Sequence, residues 1–458
     1  MIMKKKNKRL KKRLRLIFTV PVFLIFFLAM PDLSSDKNPA GAGSSVTGSE
    51  IPGMSNTLSG QTGTPAPVQT EAPPTPSPEP VFEEYDISLM ALGDNLMHMG
   101  IVSTGKRKDG TYDFSFLFDD ITEFIDNADI KIINQETILA GNDLGFSGYP
   151  KFNSPTEVGD AIAASGFNVV LQASNHAADQ KLEGLINCAS FWEKYPDILT
   201  LGIHAEETYG EIPLLTIEDV TFAVLNYVYA PNAQVINSSL QGHLEMLCDY
   251  DRQTGAINFT ALNPQVIDDI QTARDLADVV IVCPHWGTEY QQEPSKYQRK
   301  FAAEMAEAGA DLIIGTHPHV PQPVEWLTTQ DGRRVLCYYS LGNYVSTQDR
   351  KECLLGGMAW VTFHVTEDGV FISENATGML PIVCHYSSPP TRLKKVYLLE
   401  DYTEELALSH GITRHSKGLV SVHLSDLQTQ CDEAFGDMRL FRRDILPPSD
   451  APAESNIP

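Results

Sequence analysis

The chain has 458 residues, 42% of them hydrophobic and 20% charged, with a formal net charge of −25. That length admits one large α/β domain with tails. A body this acidic repels polyanions and argues against nucleic acid as a partner, because neutralising phosphates takes a basic surface.

Charge is placed unevenly along the chain. Residues 1–15 carry nine basic side chains (Lys4, Lys5, Lys6, Lys8, Arg9, Lys11, Lys12, Arg13, Arg15) and no acidic one. Leu16–Met30, LIFTVPVFLIFFLAM, is uncharged and apolar. It is short for a spanning helix and in range for a signal h-region. No clear A-x-A site or lipid-accepting cysteine follows it. The segment therefore reads as an uncleaved signal-anchor crossing the cell membrane once, with residues 1–15 as a cytoplasmic arm and the rest extracytoplasmic. Secretion after signal cleavage is the alternative. Residues 31–82 are rich in Pro, Ser, Thr and Gly and read as a disordered stalk that cannot bury enough apolar surface to fold.

From Tyr85 the pattern changes. DISLMALGD reads as a strand, and DFSFLFDDITEFIDNA has helical spacing through Phe116, Leu117, Ile121, Phe124 and Ile125. DIKIINQET is a strand, TEVGDAIAASG a helix closed by Gly166, NVVLQASNH a strand and LEGLINCASFWEKY a helix. Leu214–Ala230 reads as a hairpin about Glu218-Asp219. Then PQVIDDIQTARDLA (helix) precedes DVVIVCPHWG (strand), and KYQRKFAAEMAEAG (helix) precedes DLIIGTHPH (strand). RRVLCYYSLGN adds a strand, and 357–384 reads as antiparallel hairpins turning near Asp368-Gly369. This is an α/β fold over residues 85–390 with antiparallel additions. Residues 391–458 form a C-terminal extension, disordered at PPSDAPAESNIP.

Seven scattered cysteines without a CxxC pair do not read as a disulfide framework, although one bridge stays open outside the cytoplasm. Gly100-IVST-Gly105-Lys106-Arg107 imitates a P-loop but has Arg where a Ser or Thr would hold Mg²⁺.

Five strands end in metal-binding or proton-moving residues: Asp94, Glu136, Asn175-His176, His285 and His317-Pro318-His319. Open α/β sheets bind ligands beyond the carboxyl ends of their strands, so these residues are expected to meet. Imidazole and carboxylate together suit Zn, Mn or Fe, one ion or two, with Glu136 able to bridge a pair. The remaining histidines (98, 204, 243, 364, 385, 410, 415 and 423) are assigned structural roles.

The series GDNLMH, NQETIL, ASNHAADQ, HWGTEY, GTHPHVPQPVEW and YYSLGNYV, over residues 86–346, resembles the CapA-type poly-γ-glutamate capsule synthesis family. That family is similar to calcineurin-like metallophosphoesterases, and the resemblance implies a four-layer α/β/β/α sandwich. It implies Asp94, Glu136, Asn175, His285, His317 and His319 as metal ligands, with Asp94 and His176 catalytic and His176 the proton donor. Asn95, Asn134, Trp286, Glu289, Glu325 and Asn343 come as candidate substrate or supporting residues. Leu96 stands where the superfamily has the His of Asp-x-His, which weakens one ion site. Two functions fit: a metal-dependent hydrolase of a phosphoester or glutamyl amide, or a non-enzymatic factor that binds an anionic polymer for a membrane synthase or export complex.

Overall fold

The computed structural model describes residues 82–208 and 210–446. The basic arm, apolar segment and nearly all of the stalk lie outside them, as does the C-terminal end. Among the described residues no helix is long and apolar enough to cross a membrane.

The chain builds two large sheets in turn. Strands β1 (Tyr85–Asn95), β2 (Ile130–Asn134), β3 (Val169–Leu171) and β4 (Leu199–Leu201) lie side by side in parallel. The helices α1 (Met99–Gly105), α2 (Thr122–Asp126), α3 (Glu157–Ala164) and α4 (Lys181–Trp192) fall between them in sequence. The chain then starts a second sheet with the hairpin β5 (Leu214–Ile217) and β6 (Val220–Val228). A two-stranded ribbon follows, β7 (Cys248–Tyr250) with β8 (Ile257–Leu262). Helix α5 (Pro264–Leu276), β9 (Val279–His285), α6 (Lys296–Ala308), β10 (Leu312–Ile314), β11 (Val324–Thr328) and β12 (Arg334–Tyr338) complete that sheet, in the order β11-β12-β10-β9-β6-β5.

Finally the chain returns to the first sheet with β13 (Asn343–Val345), β14 (Leu355–Thr366), β15 (Gly369–Ile372), β16 (Gly378–Ser387) and β17 (Arg392–Leu398), giving the order β17-β16-β14-β1-β2-β3-β4. Helices α7 (Glu404–Ser409), α8 (Ile412–His415), α9 (Leu424–Phe435) and α10 (Arg442–Ile445) end the described chain.

The period-two alternation of strand side chains divides the core. From β1, Leu89 and Ala91 join one apolar cluster with Ile132, Val169, Phe222, Val224, Ile281 and Leu336, so this cluster draws on both sheets. Met90 and Leu92 face the opposite way, into a cluster with Val102, Phe124, Ile162 and Leu185 from α1 to α4. On the second sheet, Val280, Val282 and Ile313 pack with Val266, Ile270, Phe301 and Met305 from α5 and α6. Strands buried on both faces read as continuous apolar runs, which is why DVVIVCPH carries no polar alternation. Helix starts are locally encoded: Asn263 accepts from Gln265 N ahead of Pro264, and Ser295 with Gln298 forms a capping box.

Two expectations need correction. The helix expected over DFSFLFDDITEFIDNA forms two short turns instead, Ser115–Leu117 and α2. Asp113 Oδ1 accepts from Ser115 N, and Asp120 accepts from Val396 N and pairs with Lys395 on β17, so side-chain bonds take the place of one continuous helix. The boundary placed near residue 390 falls inside the fold: β17 pairs with β16, and Leu427, Cys431 and Phe435 of α9 sit in the cluster that draws on both sheets. All seven cysteines are buried and free. The P-loop mimic is merely α1 and the two residues after it, where Gly105 lies against Phe114.

Candidate metal centre

Parallel register brings the strand ends together. Asp94 pairs with Asn134 across β1 and β2, and with Asn343 across β1 and β13. The second contact is tight: a Cβ on Gly93 would lie 1.9 Å from Gly342 O, so only glycine lets β13 come this close. The paired motifs GD and LGN are thus one backbone crossing that delivers Asp94 and Asn343 to the same place. On the second sheet, His285 ends β9 and bridges to Thr316, two residues past β10.

Six expected ligands converge. Ligand atoms of Glu136, His285 and His317 lie within 4.8 Å of one another, and so do those of Asp94, Glu136 and His319. Glu136 belongs to both sets. Asn175 Oδ1 lies 3.0 Å from His285 Nε2, and its amide nitrogen donates to Asn232 Oδ1, which fixes which end faces the cluster. His319 Nδ1 lies 3.0 Å from Asp94 Oδ2, and its Nε2 lies 3.7 Å from Glu136 Oε1.

The donors fit a cation. Glu136 is 1% exposed, yet neither carboxylate oxygen has a hydrogen-bond partner; Asn95 Oδ1, Asn134 Oδ1 and His317 Nδ1 are likewise buried and unpartnered. Buried polar atoms are normally satisfied, so several orphans, mostly acceptors, in one cluster point to positive charge between them. The backbone is strained here too: His317, His319, Tyr290 and Asn232 all have positive φ, at 97°, 60°, 66° and 42°. Such strain in non-glycine residues gathers at functional sites.

Burial raises the Glu136 carboxyl well above its usual range, with the charges of Asp94 and Glu289 adding to the rise. Burial lowers His285 and His317 well below theirs, leaving neutral imidazoles suited to bind metal. His319 goes the other way: burial opposes its charge, but Glu136 and the bond to Asp94 outweigh it and raise it to about 10.

His176 stands beside the cluster. Its Nδ1 lies 2.7 Å from Asp179 Oδ2, and its Nε2 lies 4.0 Å from Glu136 Oε1. Of the supporting candidates, Asn134 Nδ2 donates to Asp94 Oδ1, Asn95 Nδ2 donates to Gln135 Oε1, and Asn343 Oδ1 faces His319 Nδ1 at 3.2 Å. Glu289 is near enough for its charge to act on Glu136, His319 and Tyr229. Two candidates sit elsewhere. Trp286 is core, donating to Tyr339 O, and Glu325 holds Arg299 through both carboxylate oxygens on a part-exposed strand.

Several partners escaped the sequence reading. Thr316 Oγ1 binds His285 Nδ1, and Asp179 orients His176. The His-x-x-Asp spacing in ASNHAADQ was a usable signal for Asp179; Asn232 lies in a loop with none. His98, assigned a structural role, packs edge-on against Phe152, which packs the same way against His176. Burial, with the His319 charge adding, lowers His98 to about 4.

The chain is similar to several known proteins. The family model described as bacterial capsule synthesis protein PGA_cap matches residues 88–348. The PGA biosynthesis protein CapA of Bacillus subtilis (strain 168) is 29% identical over 245 residues, which are 52% of this chain and 58% of that one. The capsule biosynthesis protein CapA of Bacillus anthracis is 26% identical over 316 residues, 67% of this chain and 70% of that one. The match thus spans less than two thirds of the B. subtilis relative. A provisionally assigned 5'-nucleotidase from Staphylococcus aureus, crystallised with alpha-ketoglutarate, aligns at 15% identity and a TM-score of 0.38, over 65% of this chain and 55% of that one. The family match takes in every residue of the two ligand triads and more than half of the chain, and the chain belongs to the bacterial capsule synthesis protein family PGA_cap.

Proposed function

We propose that this chain is a membrane-anchored, extracytoplasmic capsule-synthesis hydrolase that acts on a phosphoester or a glutamyl amide through two divalent ions sharing Glu136. The carrying observation is Glu136 itself, a buried carboxylate common to two ligand triads with neither oxygen otherwise bonded. One ion would be held by Glu136, His285, His317 and Asn175, the other by Asp94, Glu136 and His319. Ions bound there lower the pKa of a water and neutralise charge at the attacked group. Mn, Zn or Fe suits this donor set. The described layers support an α/β/β/α sandwich.

The protein's own residues do the rest. Asp179 holds His176 by Nδ1 and leaves Nε2 on the Glu136 side. His176 is there the residue to carry a proton at Nε2 and hand it to the leaving oxygen or nitrogen. Anchor and stalk would hold the domain off the membrane beside a capsule synthase or export complex.

A second reading, a non-catalytic polymer-binding or assembly factor, draws on one observation. Leu96, buried at 2%, occupies the place of a histidine ligand, so the Asp94 ion has one imidazole only. One experiment separates the two. The metal content of the purified chain is measured alongside hydrolysis of an aryl phosphodiester and of a γ-glutamyl anilide, for wild type, Asp94→Ala and His317→Ala. Joint loss of metal and turnover in the variants supports the hydrolase. Capsule display that persists in cells carrying both variants supports the assembly factor.

A further inference from the structure

A chain of polar contacts leads out from the ion-binding cluster to a single arginine. His319 Nδ1 faces Asn343 Oδ1 at 3.2 Å; Asn343 Nδ2 donates to Gln348 Oε1 at 2.8 Å; Gln348 Nε2 reaches the Tyr290 hydroxyl at 3.4 Å. The guanidinium of Arg350 lies over the Tyr290 ring, 4.1 Å from its centre, and that ring lies 6.0 Å from the ring of His319. The loop bearing Arg350 is tied down by the Tyr386 hydroxyl, which donates to Gln348 O, and by Cys384, which bonds both N and O of Ser346.

Arg350 differs from the paired arginines of this protein. Arg299 grips Glu325, Arg442 holds Asp401 at 3.0 Å, and Arg274 is bonded to Asp311. Among the described residues the carboxylate paired with Arg350 is its neighbour Glu352, at 3.9 Å, while Glu289 bonds the Tyr290 hydroxyl, and half of the arginine side chain is exposed. A guanidinium held over an aromatic ring still has several N–H donors to offer an oxyanion, a fork that lysine cannot reproduce.

We propose that Arg350, seated on Tyr290, is an oxyanion-recognising subsite beside the ion-binding cluster and sets its preference for substrates that carry a second anionic group beside the reacting one. This deepens the hydrolase reading and rests on it. The group recognised is a carboxylate or a phosphate. Tyr290 and Gln348 are positioning residues.

The test uses the full chain in detergent, loaded with Mn²⁺. Binding of inorganic phosphate and of a γ-linked glutamate trimer is titrated by calorimetry for wild type, Arg350→Ala and Arg350→Lys, with bound Mn measured on each. Arg350 touches no ligand of the cluster, so the metal content is expected to stay constant. Arg350→Ala is expected to bind at least one of the two probes about tenfold more weakly, as for loss of a charge-assisted contact, with lysine restoring only part. A loss confined to the trimer identifies a carboxylate, and one confined to phosphate identifies a phosphoryl group. Arg350→Ala binding both probes like wild type, or wild type binding neither, overturns the proposal. Arginine-dependent binding by a chain that takes up no metal supports the subsite and sinks the hydrolase reading.

Discussion

Glu136→Gln makes the sharpest prediction because its effect should change sign with metal. In the ion-free protein, Glu136 is a carboxyl group at 1% exposure with neither oxygen hydrogen-bonded, and burial disfavours its charged form. A buried polar group left unsatisfied costs about 1–3 kcal/mol. The amide is nearly isosteric and never ionises, so the cost of neutralising or burying a charge goes, while His319 keeps its bond to Asp94. In chelator the variant should therefore be more stable than wild type by about that amount. A folded domain of this size shifts by roughly 1–2 °C per kcal/mol, so its melting temperature should rise by a few degrees. Excess Mn²⁺ should reverse the order. Wild type gains about 2.7 kcal/mol per ion at an ion concentration 100 times Kd, whereas a variant lacking the shared ligand gains little. Scanning calorimetry of both proteins, in EDTA and in Mn²⁺, reads all four values. A variant that melts below wild type in EDTA, yet gains as much from Mn²⁺, would refute the reasoning.

Other expectations follow from single contacts. His176→Ala should keep its metal but lower kcat by about 10²–10⁴-fold, the usual worth of a general acid, in a steady-state assay with a poor leaving group. Glu325→Ala should leave metal content and turnover unchanged and alter stability by less than about 1 kcal/mol, because its partner is the part-exposed Arg299. The third concerns His410, which burial lowers to about 3; its Nδ1 accepts from Ile412 N while its Nε2 faces Cys384 O. A protonated ring would set N–H against N–H at Ile412. The unfolded chain takes up this proton near the ordinary value of 6.5 and the folded one does not. Stability is therefore full above pH 6.5 and falls as pH drops toward about 3. Urea unfolding across that window should show a shallower decline for His410→Gln.

Much of the architecture was legible because buried parallel strands leave continuous apolar runs between amphipathic helices. DVVIVCPH and KYQRKFAAEMAEAG announce β9 and α6 without ambiguity. The metal-cluster residues were legible for a related reason: they stand at or just beyond strand ends, where sheet topology gathers them. Interactions distant in sequence were hidden. Asp120 meets β17 across 276 residues, and nothing local says that it breaks a helix. Asn232 reaches the cluster from a loop whose residue types match no chemical pattern, and Tyr290 stands in HWGTEY with nothing local to say what it touches. Glu325 sits in a conspicuous motif but faces Arg299, because β11 pairs antiparallel with β12 at the edge of the second sheet.

The shared carboxylate is open to direct observation. Crystals grown with Mn²⁺ and measured at the manganese absorption edge should give two anomalous peaks, one on each side of Glu136. One should lie among Glu136, His285 and His317, the other among Asp94, Glu136 and His319. Peaks only at other positions, or none within ligand reach of Glu136, would contradict the account.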